Sequence, residues 1–124
     1  MTNRVEASAS DIYLLRTAEF RETAMFTRRI TALLSDDEYA KLQHVLLLDP
    51  ATGDLIPGAR GLRKLRWHHA SRGKGKRGGI RVIYYWYLEE SLIYMLLAYS
   101  KGDQDDLTSR EKRLLSALVR EEFK

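Results

Sequence analysis

The chain has 124 residues, 44% of them hydrophobic, which suffices for one compact domain with its own core and is too short for two. Its 21 Lys and Arg residues outnumber 17 Asp and Glu residues, so the formal net charge of +4 is a mild excess. Cysteine is absent, which excludes disulfides and thiolate metal sites, and no apolar run is long enough to cross a bilayer. We therefore expect a cytoplasmic protein that binds no membrane and needs no metal or organic cofactor.

The N-terminal part is expected to contain a flexible leader, a short strand and a helix. Residues 1–10 are small and polar and lack the apolar core of a signal peptide, so a single domain is expected over residues 11–124. Residues 12–15 (IYLL) predict a strand. Residues 18–34 carry apolar side chains at helical intervals without Gly or Pro, which predicts the first helix.

A second helix is predicted over residues 36–48. Ser35 followed by Glu38 is a capping-box pattern, in which a hydroxyl and a carboxylate satisfy orphan amides at a helix start. Asp49-Pro50 then ends the helix, because proline restricts the residue before it.

The C-terminal half predicts a loop, three strands and a last helix. Residues 51–61 are rich in Gly and Pro and predict the loop. Thr108 and Glu111 form a second capping-box pattern before an amphipathic helix. The predicted strands are residues 62–69, residues 80–88 and residues 91–99, with a tight turn at Glu89-Glu90. The resulting order is β-α-α-β-β-β-α, and we expect an α+β fold with a small antiparallel sheet and helices packed on one face.

Positive charge is segregated in one segment. No acidic residue occurs from Leu55 to Leu88. Strand alternation and hairpin pairing would project Lys64, Arg66 and Arg81 together from a face not covered by helices, forming a cationic patch suited to phosphate. The cations between residues 60 and 81 are Arg60, Arg63, Lys64, Arg66, Arg72, Lys74, Lys76, Arg77 and Arg81.

A basic strand face is often simply solvated, but mutual repulsion among clustered cations costs stability, which favours an anionic partner. Residues 71–79 (SRGKGKRGG) lack the spacing of a phosphate-binding P-loop and are not followed by a helix. Alternation predicts Tyr84 and Trp86 in the core and leaves Tyr85 and Tyr99 open as base-stacking residues.

Residues 61–66 (GLRKLR) and 73–85 (GKGKRGGIRVIYY) resemble the RelE/HigB toxins of bacterial type II toxin-antitoxin pairs. The resemblance covers about residues 11–122 and implies a compact α/β fold with helices on one side of a small antiparallel sheet. It also implies metal-independent cleavage of mRNA in the ribosomal A site, with the 2′-hydroxyl attacking the adjacent phosphate. Further matching features are Ser35-Asp36-Asp37-Glu38-Tyr39, Asp49-Pro50, Gly53-Asp54 and Tyr99-Ser100-Lys101. The implied partner is a helix-turn-helix antitoxin of the HigA kind, through which operator DNA is bound.

The resemblance implies catalytic roles for Lys64, Arg66 and Arg81, with Arg81 at the scissile phosphate. Crowding by two cations would make Lys64 a better proton acceptor than a free lysine. Residues 101–107 (KGDQDDL) lack the arginine and tyrosine that RelE has there, so Tyr99, Lys101 and His68 are alternative general acids. The expected RNA-binding residues are Arg63, His68, Arg72, Lys74, Lys76, Arg77 and Tyr85.

Two other functions remain open. A ParE-like toxin would inhibit DNA gyrase by binding it, with the same fold and no nuclease chemistry, but that group typically lacks clustered cations on its strands. A non-catalytic RNA-binding module would depend on total charge and be insensitive to the loss of any one residue.

Overall fold

The computed structural model describes residues 2–6, 17–68 and 79–123 and has the expected α+β fold. A mixed sheet carries three helices, none of which, within the described residues, is long and apolar enough to span a membrane. The elements in chain order are β1 (Thr2–Glu6), β2 (Thr17–Glu22), α1 (Ala24–Leu33), α2 (Asp36–Leu48), β3 (Asp54–Leu55), β4 (Arg63–Trp67), β5 (Ile80–Tyr87), β6 (Leu92–Ser100) and α3 (Ser109–Glu122).

The strands form one sheet in the order β1-β2-β6-β5-β4-β3. Neighbouring strands are antiparallel except β2 and β6, which are parallel, so the sheet is mixed where an antiparallel one was expected. The chain between β2 and β6, which contains α1, α2 and strands β3 to β5, makes the long connection that a parallel pairing needs.

β1 lies within the expected flexible leader and is paired along its length with β2. Polar composition does not exclude an edge strand, because the ladder hydrogen bonds are made by the backbone. The strand predicted at residues 12–15 and the rest of that leader, residues 7–10, lie outside the described residues.

The first predicted helix begins six residues too early, because residues 17–22 are β2. Ala18, Phe20 and Glu22 are buried, which is the period of two of a strand. Thr23 then begins α1: its Oγ1 accepts a hydrogen bond from Phe26 N at 3.0 Å. Phe20 and Ala24 are four residues apart, which suggested a continuous helix, but pairing with β6 makes residues 17–22 a strand.

β3 lies inside the segment predicted as a loop, where backbone pairing with β4 makes two residues of it a short edge strand. The remaining elements lie close to their predicted positions. α2 has the predicted bounds, and Ser35 Oγ accepts a hydrogen bond from Glu38 N at 3.1 Å. Both halves of the capping box of Thr108 and Glu111 are present at α3. Tyr84 is fully buried as expected; its hydroxyl donates to Pro50 O at 2.7 Å.

Helices cover both faces of the sheet, where one face was expected to be free. α1 and α2 pack on one face over a core that includes Phe20, Leu46 and Tyr84. α3 packs on the opposite face over a second core that includes Leu97 and Val119. An amphipathic helix needs an apolar surface, and the α3 face of β6 provides it.

β6 contains a bulge where it pairs with β5. Ile83 faces Leu97 and Tyr84 faces Met95, so Leu96 is an additional residue on β6. Met95 belongs to the core under α1 and α2, whereas Leu96 and Leu97 both belong to the core under α3.

Candidate cationic site on the sheet

The strand register gathers the main predicted site residues on one face. Arg66 on β4 faces Arg81 on β5, and Arg81 faces Tyr99 on β6. Lys64 is two residues from Arg66 and therefore points to the same side. Tyr99 lies in the core under α3, which identifies the shared face. Directly opposed like charges destabilise a strand pair, so the pairing of Arg66 with Arg81 costs folding free energy.

α3 shares this face without sealing the cations. The Arg66 side chain is 60% exposed and that of Lys64 is 21% exposed. A groove of about 370 Å³ lies between β4, the loop that follows β3, and the start of α3. Its lining residues are Asp54, Leu55, Ile56, Pro57, Lys64, Arg66, Asp106, Leu107 and Lys112.

Two strand cations of the site pair with acidic residues that were not predicted. Lys64 Nζ lies 3.1 Å from Asp106 Oδ1, and Arg66 Nη1 lies 3.5 Å from Asp54 Oδ2. Asp54 lies on the two-residue strand β3, which was predicted as loop, and Asp106 lies in the loop before α3, so the predicted strands could not place either. The acidic run at residues 103–106 directly after β6 was the available indication.

Asp106 is held as an anion. The backbone N–H of Leu107 donates to Asp106 Oδ1 at 2.7 Å, and this bond together with Lys64 holds the pKa of the carboxyl below its usual value. Lys64 therefore contacts a carboxylate in addition to the neighbouring cations that the sequence predicted. A phosphate that reached Lys64 would have to displace Asp106.

Tyr99 provides a neutral hydroxyl beside these charges. The side chain is 1% exposed, and within the described chain its hydroxyl has no hydrogen-bond partner. Burial and the charge of Asp106 raise the pKa of Tyr99 to about 12, while Arg81 acts in the opposite direction. The phenol is therefore protonated at neutral pH and has a proton to donate.

Two of the other predicted residues lie in different surroundings. Arg63 is on the α1/α2 side, and its Nη1 donates to Gly53 O at 2.8 Å and Ala51 O at 3.1 Å. It therefore holds the loop before β3 in place and does not join the groove. Tyr85 packs in an aromatic cluster, with its ring centroid 5.4 Å from that of Phe123.

Lys101 follows β6 and pairs with Asp105 at 2.7 Å. His68 is exposed immediately after β4. Arg72, Lys74, Lys76 and Arg77 lie outside the described residues, so their RNA-binding role stays a prediction. No group of His, Asp and Glu in the described ranges could hold a metal ion.

A scan against known protein families finds no match for this chain. Among solved structures, the chain is similar to an arginine double mutant of the toxin RelE from E. coli in the free state. The two are 13% identical with a TM-score of 0.45, over 69% of this chain and 85% of that chain. A TM-score at this level is too low to support a statement about function, so the case for function rests on the site.

Proposed function

We propose that this chain is the toxin of a type II toxin-antitoxin pair and cleaves mRNA on the ribosome without a metal. The observation that carries the proposal is the row of Arg66, Arg81 and Tyr99 across three neighbouring strands, with Lys64 beside it at an open groove. Two opposed arginines are unfavourable for folding and well suited to a phosphodiester, whose oxygens accept hydrogen bonds from planar guanidinium groups.

The proposed reaction is an attack of the RNA 2′-hydroxyl on the adjacent phosphorus, with breakage of the bond to the 5′-oxygen. Arg66 and Arg81 would stabilise the negative charge that develops on the non-bridging oxygens. Lys64, once a phosphate has displaced Asp106 from it, would take the proton of the 2′-hydroxyl. Tyr99 would supply one to the leaving 5′-oxygen, which requires RNA binding to expose its buried hydroxyl. The phenol keeps its proton at neutral pH, as a donor must, while the pKa of about 12 makes it a weaker acid than a free tyrosine.

The proposed partners follow from the sequence resemblance. They are mRNA in the ribosomal A site and a helix-turn-helix antitoxin of the HigA kind, which would bind operator DNA for the complex. The proposed location is the cytoplasm, where ribosomes are found. The cationic, partly open groove supports an RNA partner because phosphates are the natural ligands of such a surface.

The test compares induced wild type, Arg81→Ala and Arg28→Ala in cells, with growth and mapped mRNA 5′ ends as readouts. Arg28 is an exposed arginine on α1, on the opposite side of the sheet, and is the matched control. Wild type and Arg28→Ala should arrest growth and cut transcripts within codons. Arg81→Ala should cut about 10²–10³ times more slowly, as expected for loss of a donor to the developing charge.

Growth arrest with intact transcripts would reject the nuclease and favour a binding toxin such as one acting on gyrase. Full toxicity of Arg81→Ala would show that the site is wrong. A partial loss shared equally by Arg81→Ala and Arg28→Ala would indicate RNA binding by total charge, as in a non-catalytic module.

A further inference from the structure

Lys112 on α3 is a groove cation that the sequence patterns did not single out. It lines the groove together with Lys64 and Arg66. Its Nζ lies 3.5 Å from Pro57 O, and among the described residues it makes no ion pair with a carboxylate. An anion could therefore bind Lys112 without first displacing a carboxylate from it, unlike at Lys64.

The position of Lys112 is unfavourable for helix stability. It is the fourth residue of α3, which begins after the cap residue Thr108. The start of a helix carries partial positive charge, so a cation in this turn costs about 0.3–1 kcal/mol at an exposed site. The same partial charge adds to the positive potential of the groove. Helix stability therefore does not explain a lysine here, whereas an anion in the groove does: Asp106, whose carboxyl pKa Lys112 helps to lower, and a phosphate bound beside it.

Apart from its cations and the carboxylates of Asp54 and Asp106, the groove has an apolar part suited to a flat group. Leu55, Ile56, Pro57 and Leu107 line it, and Leu55 is 59% exposed. A volume of about 370 Å³ lies within the range of sites that take small ligands, which runs from roughly 300 to 1,000 Å³. Cations next to apolar side chains match the two parts of a nucleotide, because the phosphate is anionic and the base has apolar faces.

We propose that the groove is a nucleotide subsite, in which Lys112 binds a phosphate next to the scissile one and the base packs against Leu55 and Leu107. The inference rests on the proposed function, since it takes RNA as the ligand. It adds a second anchoring point on α3, so the RNA strand would run from the arginine row on β4 and β5 towards the start of α3.

The test uses the full chain and a 2′-O-methyl RNA hexamer, which binds but lacks the attacking hydroxyl. Lys112→Ala should weaken binding about tenfold and reduce the salt dependence of the logarithm of the affinity by about 0.7. Lys112→Arg should keep most of the affinity. Lys41→Ala is the matched control, since Lys41 is an exposed lysine on α2 next to Glu38. Amide resonances of residues 54–56 and 106–112 should shift on titration in NMR spectra.

Affinity of Lys112→Ala within twofold of wild type, with a clear loss for Arg81→Ala, would overturn the subsite and leave the proposed function intact. Resonance shifts confined to β4 and β5 would do the same. Absence of hexamer binding by wild type at millimolar concentration would overturn the subsite. If mRNA were nevertheless cut in cells, the proposed function would survive that result.

Discussion

Replacement of Tyr99 by Phe tests the unusual state of this buried hydroxyl. The ring is almost fully buried, and in the described chain the hydroxyl has no hydrogen-bond partner. A buried polar group without a partner costs about 1–3 kcal/mol, and phenylalanine removes only that group. Tyr99→Phe should therefore raise the free energy of unfolding by about 1 kcal/mol, whereas a buried Tyr→Phe change normally lowers it.

Tyr84→Phe is the matched control. Tyr84 is also fully buried, but its hydroxyl donates to Pro50 O at 2.7 Å and accepts from Gly53 N at 2.9 Å. Its loss removes two hydrogen bonds of about 1 kcal/mol each and leaves two backbone groups without partners. Tyr84→Phe should lower the free energy of unfolding by about 2–3 kcal/mol.

Urea unfolding followed by circular dichroism measures both changes. An unchanged slope of the free energy of unfolding against urea concentration would show that the unfolded states are comparable. A loss of stability in Tyr99→Phe similar to that in Tyr84→Phe would show that the Tyr99 hydroxyl is bonded and the reasoning wrong. The Tyr99→Phe protein is also compared with wild type in the cleavage assay, which separates an effect on catalysis from an effect on stability. If Tyr99 donates the proton, the stable Phe variant should cut about 10²–10⁴ times more slowly.

Two further predictions concern pH and backbone conformation. The pKa of Asp106 is lowered from 3.8 in the folded state, so the ionised carboxylate adds to the free energy of unfolding above pH 3.8. This contribution is lost as the pH falls through the lower, folded-state pKa. For an exposed pair with Lys64 the loss is up to about 1 kcal/mol, and Asp106→Asn should abolish it. Urea titrations between pH 2 and 6 measure both proteins. Gly79→Ala should cost about 2 kcal/mol or more in thermal unfolding, because φ is +66° and the new Cβ would lie 2.3 Å from Trp67 O. Gly102→Ala, with its nearest contact at 3.6 Å, should be close to neutral.

The parts of the fold that follow from local rules were predictable. α2 is delimited by Ser35 and by Asp49-Pro50, both of which act on neighbouring backbone groups. The strand face shared by Lys64, Arg66 and Arg81 follows from a period of two and one hairpin pairing.

The parts that depend on distant contacts were not predictable from the sequence. Phe20 fits a helix, four residues before Ala24, as well as a strand, and only the pairing with β6 selects the strand. Asp106 and Lys112 reach the groove only because α3 packs on the same face as the cations. A sequence pattern fixes which side of a strand is apolar, but it does not say which helix will cover that side.

The bulge at Leu96 has a consequence for how chains of this kind are aligned and engineered. If the same residues alternated strictly from Tyr94 without the bulge, Tyr99 would turn away from Arg81 and towards α1 and α2. A deletion of Leu96 would instead make the pairing with β5 regular and keep Tyr99 opposite Arg81, so the groove side would retain the phenol. The bulge is thus what places Tyr94 and Tyr99, an odd number of residues apart, on the same side of the sheet.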